Sequence, residues 1–493
     1  MIKIYFHFEQ QWRSAMSKFH HPLFHKCVHV LTALACTGGL FFQSAISAGA
    51  LTEEQEARLE TQRAMEVQSN LVPNWPTGPL VGAEAAILME AETGTILYAK
   101  NIHEREFPAS TTKILTALLA SELCEMDEVV TFSRKAVFDT PRDSNHIAMD
   151  VGQALTMEQC LNAILIRSAN EVAYAIAEHI TGSTEWQDFG DVMNARAAEL
   201  GCVDSHFANP NGLPDENHYT SAHDLAMIGR AFFANEMLCK ITLTRRLEIP
   251  ASDTLPQQKL ELNKMQIIPG GEYAYEYLVG CKTGYTQTAR SCLVSCAEKN
   301  GMKLICVVLK DESPTQYQDT ISLFEYGFAN FEKAKIAQLE TKYNIDNTGL
   351  FYSGNDIFGN SRPLLTLSQE DYIVLPKTIS FADTTSQISY DISNDKQAAV
   401  IFYTYENMPI GSVRVNYVAN QEESFVFTTV SEDELLQEEP DKPVIYVNKT
   451  WIMAILILLA SVIILRFFIY IIRKNFAFPG KSGRSRRRRR RRR

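Results

Sequence analysis

The chain contains no HExxH and no CxxC pair, so two common ways of writing a zinc site into a sequence are missing. Histidine is sparse, with 11 in 493 residues. His206, His218 and His223, which cluster in sequence, are expected to serve packing and loop hydrogen bonds rather than a metal. No internal repeat is present, which excludes a solenoid or propeller. A basic surface is missing too: the formal net charge is −11, and setting aside the twelve cations that follow Ile472 leaves −23. That balance excludes nucleic acid as a partner. Cysteine is modest for the length, and eight of the ten lie beyond residue 50, mostly inside apolar runs such as "SCLVSC" and "LICVVL". They read as small buried hydrophobes, in a chain large enough to build its core without disulfides.

Long apolar runs are confined to the two ends. Residues 1–50 carry "CVHVLTALACTGGLFFQSAISAGA", preceded by Lys18 and Lys26 and closing in "AGA", the pattern of a signal peptide. Met16 is an alternative start, because the stretch before it is long for a signal n-region. Residues 451–472, "WIMAILILLASVIILRFFIYII", are long enough to cross a hydrocarbon core of about 30 Å as one transmembrane helix. Its single charge, Arg466, lies near one end and can snorkel. An acidic stalk, 431–450, precedes it, and a basic tail, 473–493, ends in eight arginines. By the positive-inside rule the tail is cytoplasmic and the rest lies outside the cell membrane, held by a single pass.

Between the ends, 51–80 reads as a charged helical stretch and a Pro-containing linker. Two short apolar runs, "AEAAILME" and "TILYAK", predict a hairpin around Ala91–Gly94, followed by a helical middle, three strands ("YLVGCKTGY", "RSCLVSCAEK", "KLICVVLK") and an amphipathic helix. This order describes an α/β domain over 81–333, a mixed antiparallel sheet flanked by helices. From 334 to 430 the pattern turns to short strands, a smaller all-β domain.

Three short motifs carry the chemistry. In "PASTTKILTALLA" Ser110 and Lys113 are three residues apart, on one face of a helix's first turn. Taken alone, the pair also suits an N-cap and a solvated cation, and a second SxxK stands at Ser393 to Lys396. Ser168-Ala169-Asn170 opens another apolar run, and Lys282-Thr283-Gly284 sits on a strand. In this order, and with "NPNGLPDENHYTSAHDLA" and "CKTGYTQTARSCLVSCA" around them, the motifs resemble the D-alanyl-D-alanine carboxypeptidases, low-molecular-weight penicillin-binding serine peptidases. The resemblance runs from about residue 82 to 332 and implies a β-lactamase/transpeptidase-like fold. Ser353-Gly354-Asn355 mimics the second motif but follows the third, and "EQCLN" at Glu158 to Asn162 precedes the second where a β-lactamase's water-activating glutamate would follow it.

The resemblance implies an acyl-enzyme on Ser110, with Lys113 as its base. For a lysine to be neutral near pH 7 its pKa must fall by about 3, or roughly 4 kcal/mol. Burial and the charge of Lys282 both push that way. By resemblance, Ser168 bridges the two lysines and helps protonate the leaving amine, while Asn170 holds the substrate peptide. Lys282 and Thr283 receive its terminal carboxylate, and Gly284 lets its backbone come close. The N–H groups of Ser110 and Tyr285 form the oxyanion hole. The expected partners are peptidoglycan pentapeptide stems and, as covalent inhibitors, β-lactams; no cofactor and no metal is expected. A transpeptidase or endopeptidase of the same fold, and a non-catalytic β-lactam or muropeptide sensor, are the alternatives. Two departures from the family, Ala169 and Asn211, are expected to leave nucleophile, base and carboxylate clamp untouched.

Overall fold

Alternation along the central strands explains how one sheet carries two cores. The computed structural model describes residues 51–343, 365–391, 394, 396–417 and 466. Helix α1 (Glu53–Arg63) leads into β1 (Ala85–Glu90) and β2 (Ile96–Lys100). The helical middle comprises α2 (Lys113–Leu123), α3 (Arg134–Phe138), α4 (Met157–Asn162), α5 (Asn170–Thr181), α6 (Trp186–Glu199), α7 (Ala222–Ala234) and α8 (Glu236–Leu243). Two short hairpins punctuate it, β3 (Val129–Thr131) with β4 (Ala154–Thr156) and β5 (Arg246–Ile249) with β6 (Lys259–Leu262). Then come β7 (Leu278–Thr286), β8 (Arg290–Lys299), β9 (Met302–Asp311) and α9 (Thr315–Asn330). The sheet order is β2-β1-β9-β8-β7, antiparallel at every pairing.

Ile87, Met89, Val294, Cys296, Ile305 and Val307 point to the helical middle. Their neighbours Leu88, Leu293, Leu304, Cys306 and Val308 point the other way, towards α9. Period-2 alternation with both faces apolar is what a sheet buried on both sides requires. Among the described residues all eight cysteines are free thiols, six of them buried.

The second sheet is β10 (Phe331–Lys335), β12 (Tyr372–Pro376), β15 (Met408–Tyr417), β14 (Gln397–Tyr405) and β13 (Thr385–Ser389) in that order, with β11 (Leu365–Leu367) also on β15. Its buried Ile373, Ile401 and Val413 join the same apolar cluster as Leu88 and Phe324. The Tyr372 hydroxyl lies 2.8 Å from a carboxylate oxygen of Glu90, at the end of β1, and 2.6 Å from one of Glu92 in the loop after it, so its single hydrogen is shared between two acceptors of the first sheet.

Residues 51–80 do more than link. Thr52 and Gln55 close a capping box on α1, a motif whose cap residue is typically worth about 1 kcal/mol. Leu59, Val67 and Trp75 are buried, and Trp75 donates its indole N–H to the carbonyl of Leu97 at 2.9 Å. Lys100, also buried, donates to the carbonyls of Gln62 (2.7 Å), Val81 (2.9 Å) and Ala83 (2.6 Å). Glu312 accepts from Gln55 (3.0 Å), Arg58 (2.9 Å) and Arg290 (3.0 Å). Burial works to raise its pKa, but those donors win and hold the carboxyl below its usual range.

The leader, the stalk, the expected span at 451–472 apart from Arg466, and the basic tail lie outside the described residues. So do Ser353-Gly354-Asn355, Ser393 and residues 418–430. Among the described residues no helix is long and apolar enough to cross a membrane.

Candidate active site

Pro108 precedes a 3-10 turn, Ala109–Thr112, that runs into α2. Ser110 thus sits in a first turn, whose backbone N–H groups have no intrahelical acceptor. Ala109 is held at φ +48°, a left-handed conformation that an alanine adopts only under constraint. The constraint is visible in Gly212, itself at φ +79°: a Cβ there would lie 1.8 Å from the Ala109 carbonyl oxygen. The loop containing Gly212 is fixed by Asn209, whose Oδ1 accepts from the Gly212 N–H at 2.8 Å.

Lys113 is fully buried. Its Nζ lies 3.0 Å from Ser110 Oγ, 2.7 Å from Asn170 Oδ1 and 2.7 Å from the carbonyl oxygen of Asn211. Two of these three neighbours can only accept. A neutral amine has two N–H bonds and one lone pair, so the two acceptors claim the hydrogens and the lone pair faces the serine hydroxyl. Burial first, then the charge of Lys282, pushes the Lys113 pKa well below the usual lysine value; Glu171 opposes them. The geometry and the electrostatics thus favour the same protonation state.

Ser168 stands at φ +61°, where a π-helical turn, Ala163–Arg167, breaks before α5. The break turns the hydroxyl of Ser168 to Lys282 Nζ, 3.1 Å away. Lys282 also donates to the carbonyl of Thr283 at 2.7 Å. It lies on β7, the edge of the first sheet, and edge strands leave alternate backbone groups free for a ligand. Burial pulls its pKa down to about 8, with Cys281 a minor opposing influence.

Ser110, Ser168, Asn170, Lys282, Thr283, Gly284 and Tyr285 all line one cavity of about 810 Å³, and Lys113 lies behind them. All eight residues expected from the sequence are therefore brought together. Three details differ. Ser168 is hydrogen-bonded to Lys282 alone, and it is Asn170 that takes Lys113; with Oδ1 committed, the Asn170 Nδ2 is the group left for a ligand. Gly284 is small for the sake of the protein itself, since a Cβ there would lie 2.9 Å from both Pro108 O and Ser110 N. Asn211, expected to stand apart, touches the lysine through its carbonyl oxygen. A main-chain acceptor leaves no signature in a residue type, so this contact was beyond the sequence. The histidines behave as expected: buried His218 accepts backbone N–H bonds from Ala208 (3.1 Å) and Asn209 (3.4 Å) at Nδ1. Its Nε2 therefore carries the hydrogen and donates to Thr112 Oγ1 at 2.8 Å. Burial holds it neutral, its pKa lowered to about 3.

A five-stranded antiparallel sheet with SxxK, SxN and KTG converging on one cleft defines the class of penicillin-recognising serine enzymes. The model of the D-alanyl-D-alanine carboxypeptidase family matches residues 73–313. A D-alanyl-D-alanine carboxypeptidase of Mycobacterium tuberculosis is 30% identical over 271 residues, covering 54% of this chain and 87% of that protein. Its counterpart DacF of Bacillus subtilis is 33% identical over 260 residues, 51% of this chain but only 63% of the relative's length. The chain belongs to the D-alanyl-D-alanine carboxypeptidase family. Penicillin binding protein 5 of Haemophilus influenzae shares the fold, with a TM-score of 0.54 at 24% identity over 70% of this chain and 98% of that one.

The lysine pair sets a pH profile. Lys282 is charged below about pH 8 and neutral above it, so any pull it exerts on a carboxylate in the cleft fades as pH rises through that value. A base at Lys113 would have to be unprotonated, and its lowered pKa would put the acid limb well below the usual lysine range. We expect kcat/KM for a peptide ending in a free carboxylate to be bell-shaped, with a basic limb near pH 8. Steady-state kinetics across pH 5–10 would check it. A basic limb that persists unshifted in Lys282→Gln would show that another group is responsible.

Proposed function

We propose that Ser110 is the nucleophile of a carboxypeptidase that removes the terminal D-alanine from peptidoglycan stem peptides, and that β-lactams acylate the same serine. The observation that carries this reading is the Lys113 amine, held by two acceptors so that its lone pair faces Ser110 Oγ. Lys113 takes the serine proton as Oγ attacks the penultimate carbonyl carbon. The oxyanion meets the N–H groups of Ser110 and Tyr285; one such donor is typically worth about 10²–10³ in rate. Lys282 and Thr283 bind the terminal carboxylate, and Asn170 Nδ2 holds the substrate peptide oxygen. Ser168, backed by Lys282, delivers a proton to the departing D-alanine nitrogen. Lys113 passes the proton it took from Ser110 through water in the cleft to the Ser168–Lys282 pair, which restores that pair and leaves Lys113 neutral. Water then cleaves the ester with Lys113 as base, and this second proton goes to Ser110 Oγ as the serine is freed.

The test is intact-mass spectrometry of the protein with benzylpenicillin, beside assay of D-alanine released from a stem pentapeptide. We expect one adduct on the wild type, none on Ser110→Ala, and D-alanine from the wild type only. A folded wild type that neither releases D-alanine nor forms an adduct would overturn the reading. The apolar run at 451–472, between an acidic stretch and a basic tail, supports a tether that holds the catalytic part outside the cell membrane. Accessibility of the enzyme to protease added to intact cells would test that placement.

A further inference from the structure

Helices α2 and α5 are joined at their N-terminal ends, where Lys113 meets Asn170. Their C-terminal ends also meet, through residues with no part in that site. Cys124 is the C-cap of α2, and His179 lies in the last turn of α5. Glu128 stands just ahead of β3, with its Oε1 accepting from the Glu125 N–H at 2.7 Å and its Oε2 2.7 Å from His179 Nε2. The thiol sulfur, a carboxylate oxygen and an imidazole nitrogen all lie within 4.8 Å of one another. Each of the three residues is partly exposed. At about 1.5 Å per residue, helices of 11 and 12 residues put this cluster roughly 16–18 Å from Lys113 and Asn170.

We propose that Cys124, Glu128 and His179 form a binding site for a divalent transition metal of the zinc type, with water in the fourth position. A His–Glu ion pair alone would explain two of the residues but not the thiol beside them. Sulfur, imidazole and carboxylate together are the donor set of zinc, and a thiolate does not suit magnesium or calcium. Both helices direct the negative end of their dipoles at the cluster, which favours a cation there. Metal–ligand bonds of about 2.0–2.3 Å in a tetrahedron hold the donors roughly 3.3–3.7 Å apart. The His179–Glu128 pair must therefore open from 2.7 Å as the cation replaces the hydrogen between them, and Cys124 releases its proton to solvent. Bound metal would fasten one end of the helix pair whose other end positions the base.

The test is titration of the metal-free full chain with Co²⁺, read by absorbance. One equivalent is expected to give a near-ultraviolet sulfur-to-cobalt charge-transfer band that Zn²⁺ abolishes. Cys124→Ser should lose the band, and His179→Gln should weaken binding at least tenfold. Zn²⁺ should raise the melting temperature of the wild type and not of Cys124→Ser. Acylation by benzylpenicillin should survive in both variants, which checks that they fold. No band in the wild type, or a band retained by Cys124→Ser, would overturn the proposal.

Discussion

Lys113→Met is expected to lower the rate of D-alanine release by about 10⁴-fold, the upper range for losing a general base, while leaving the protein folded. The unbranched thioether fills the lysine's channel without a polar head. Two costs oppose each other. The Asn170 Oδ1 and Asn211 carbonyl oxygens lose their donor, although Asn170 and Asn211 both line the cavity and water can replace it. In return, the native state no longer has to hold an amine neutral that the unfolded chain would protonate. The sign follows: the folded pKa lies below the unfolded one, so between them the unfolded state binds more protons and wild-type stability rises with pH. Thermal melts should therefore show the variant's relative stability declining from pH 7 to pH 9.5, as the wild type is relieved of its penalty. A variant that keeps more than a hundredth of the wild-type rate would remove Lys113 from the role of base.

Gly212→Ala is expected to cost roughly 2–5 kcal/mol, combining a left-handed alanine with a backbone collision. The ideal Cβ lies 1.8 Å from the Ala109 carbonyl and 2.8 Å from Thr112 Oγ1, and a carbonyl cannot swing away as a long side chain can. Ala109 is the residue before Ser110, so whatever relief the chain finds displaces the nucleophile. A shift of about 1 Å is enough to slow acylation by 10². Urea denaturation and the second-order rate of benzylpenicillin acylation would measure both effects. Wild-type values in both would mean that the loop and the nucleophile's turn are not coupled.

Much of this was legible beforehand because chemistry restricts residue types. A serine with a base one turn on, and a cation and glycine on an edge strand, leave little choice of side chain. The central sheet was legible from the short apolar runs in "AEAAILME" and "KLICVVLK", bounded by turn residues. The π-helical turn was not: "LNAILIRSAN" has the apolar density of an unbroken helix, and only tertiary contacts explain the break at Ser168. Nor was the β5–β6 hairpin, whose outer residues Leu260 and Leu262 are exposed and give no clean two-sided pattern. The reach of Asn211, and the hold of Lys100 on residues 62–83, depend on backbone carbonyls, which every residue carries.

That buried run decides where the chain can be shortened. A fragment cut at residue 81 would keep every motif and still take Gln62 O from Lys100, Gln55 and Arg58 from Glu312, and Trp75 from the core. Its surface would then carry a bare apolar strip and an under-partnered cation, features that favour aggregation on expression. A cut ahead of Thr52 preserves the helix cap and all of these contacts, so the soluble enzyme for assay and inhibitor work should begin there.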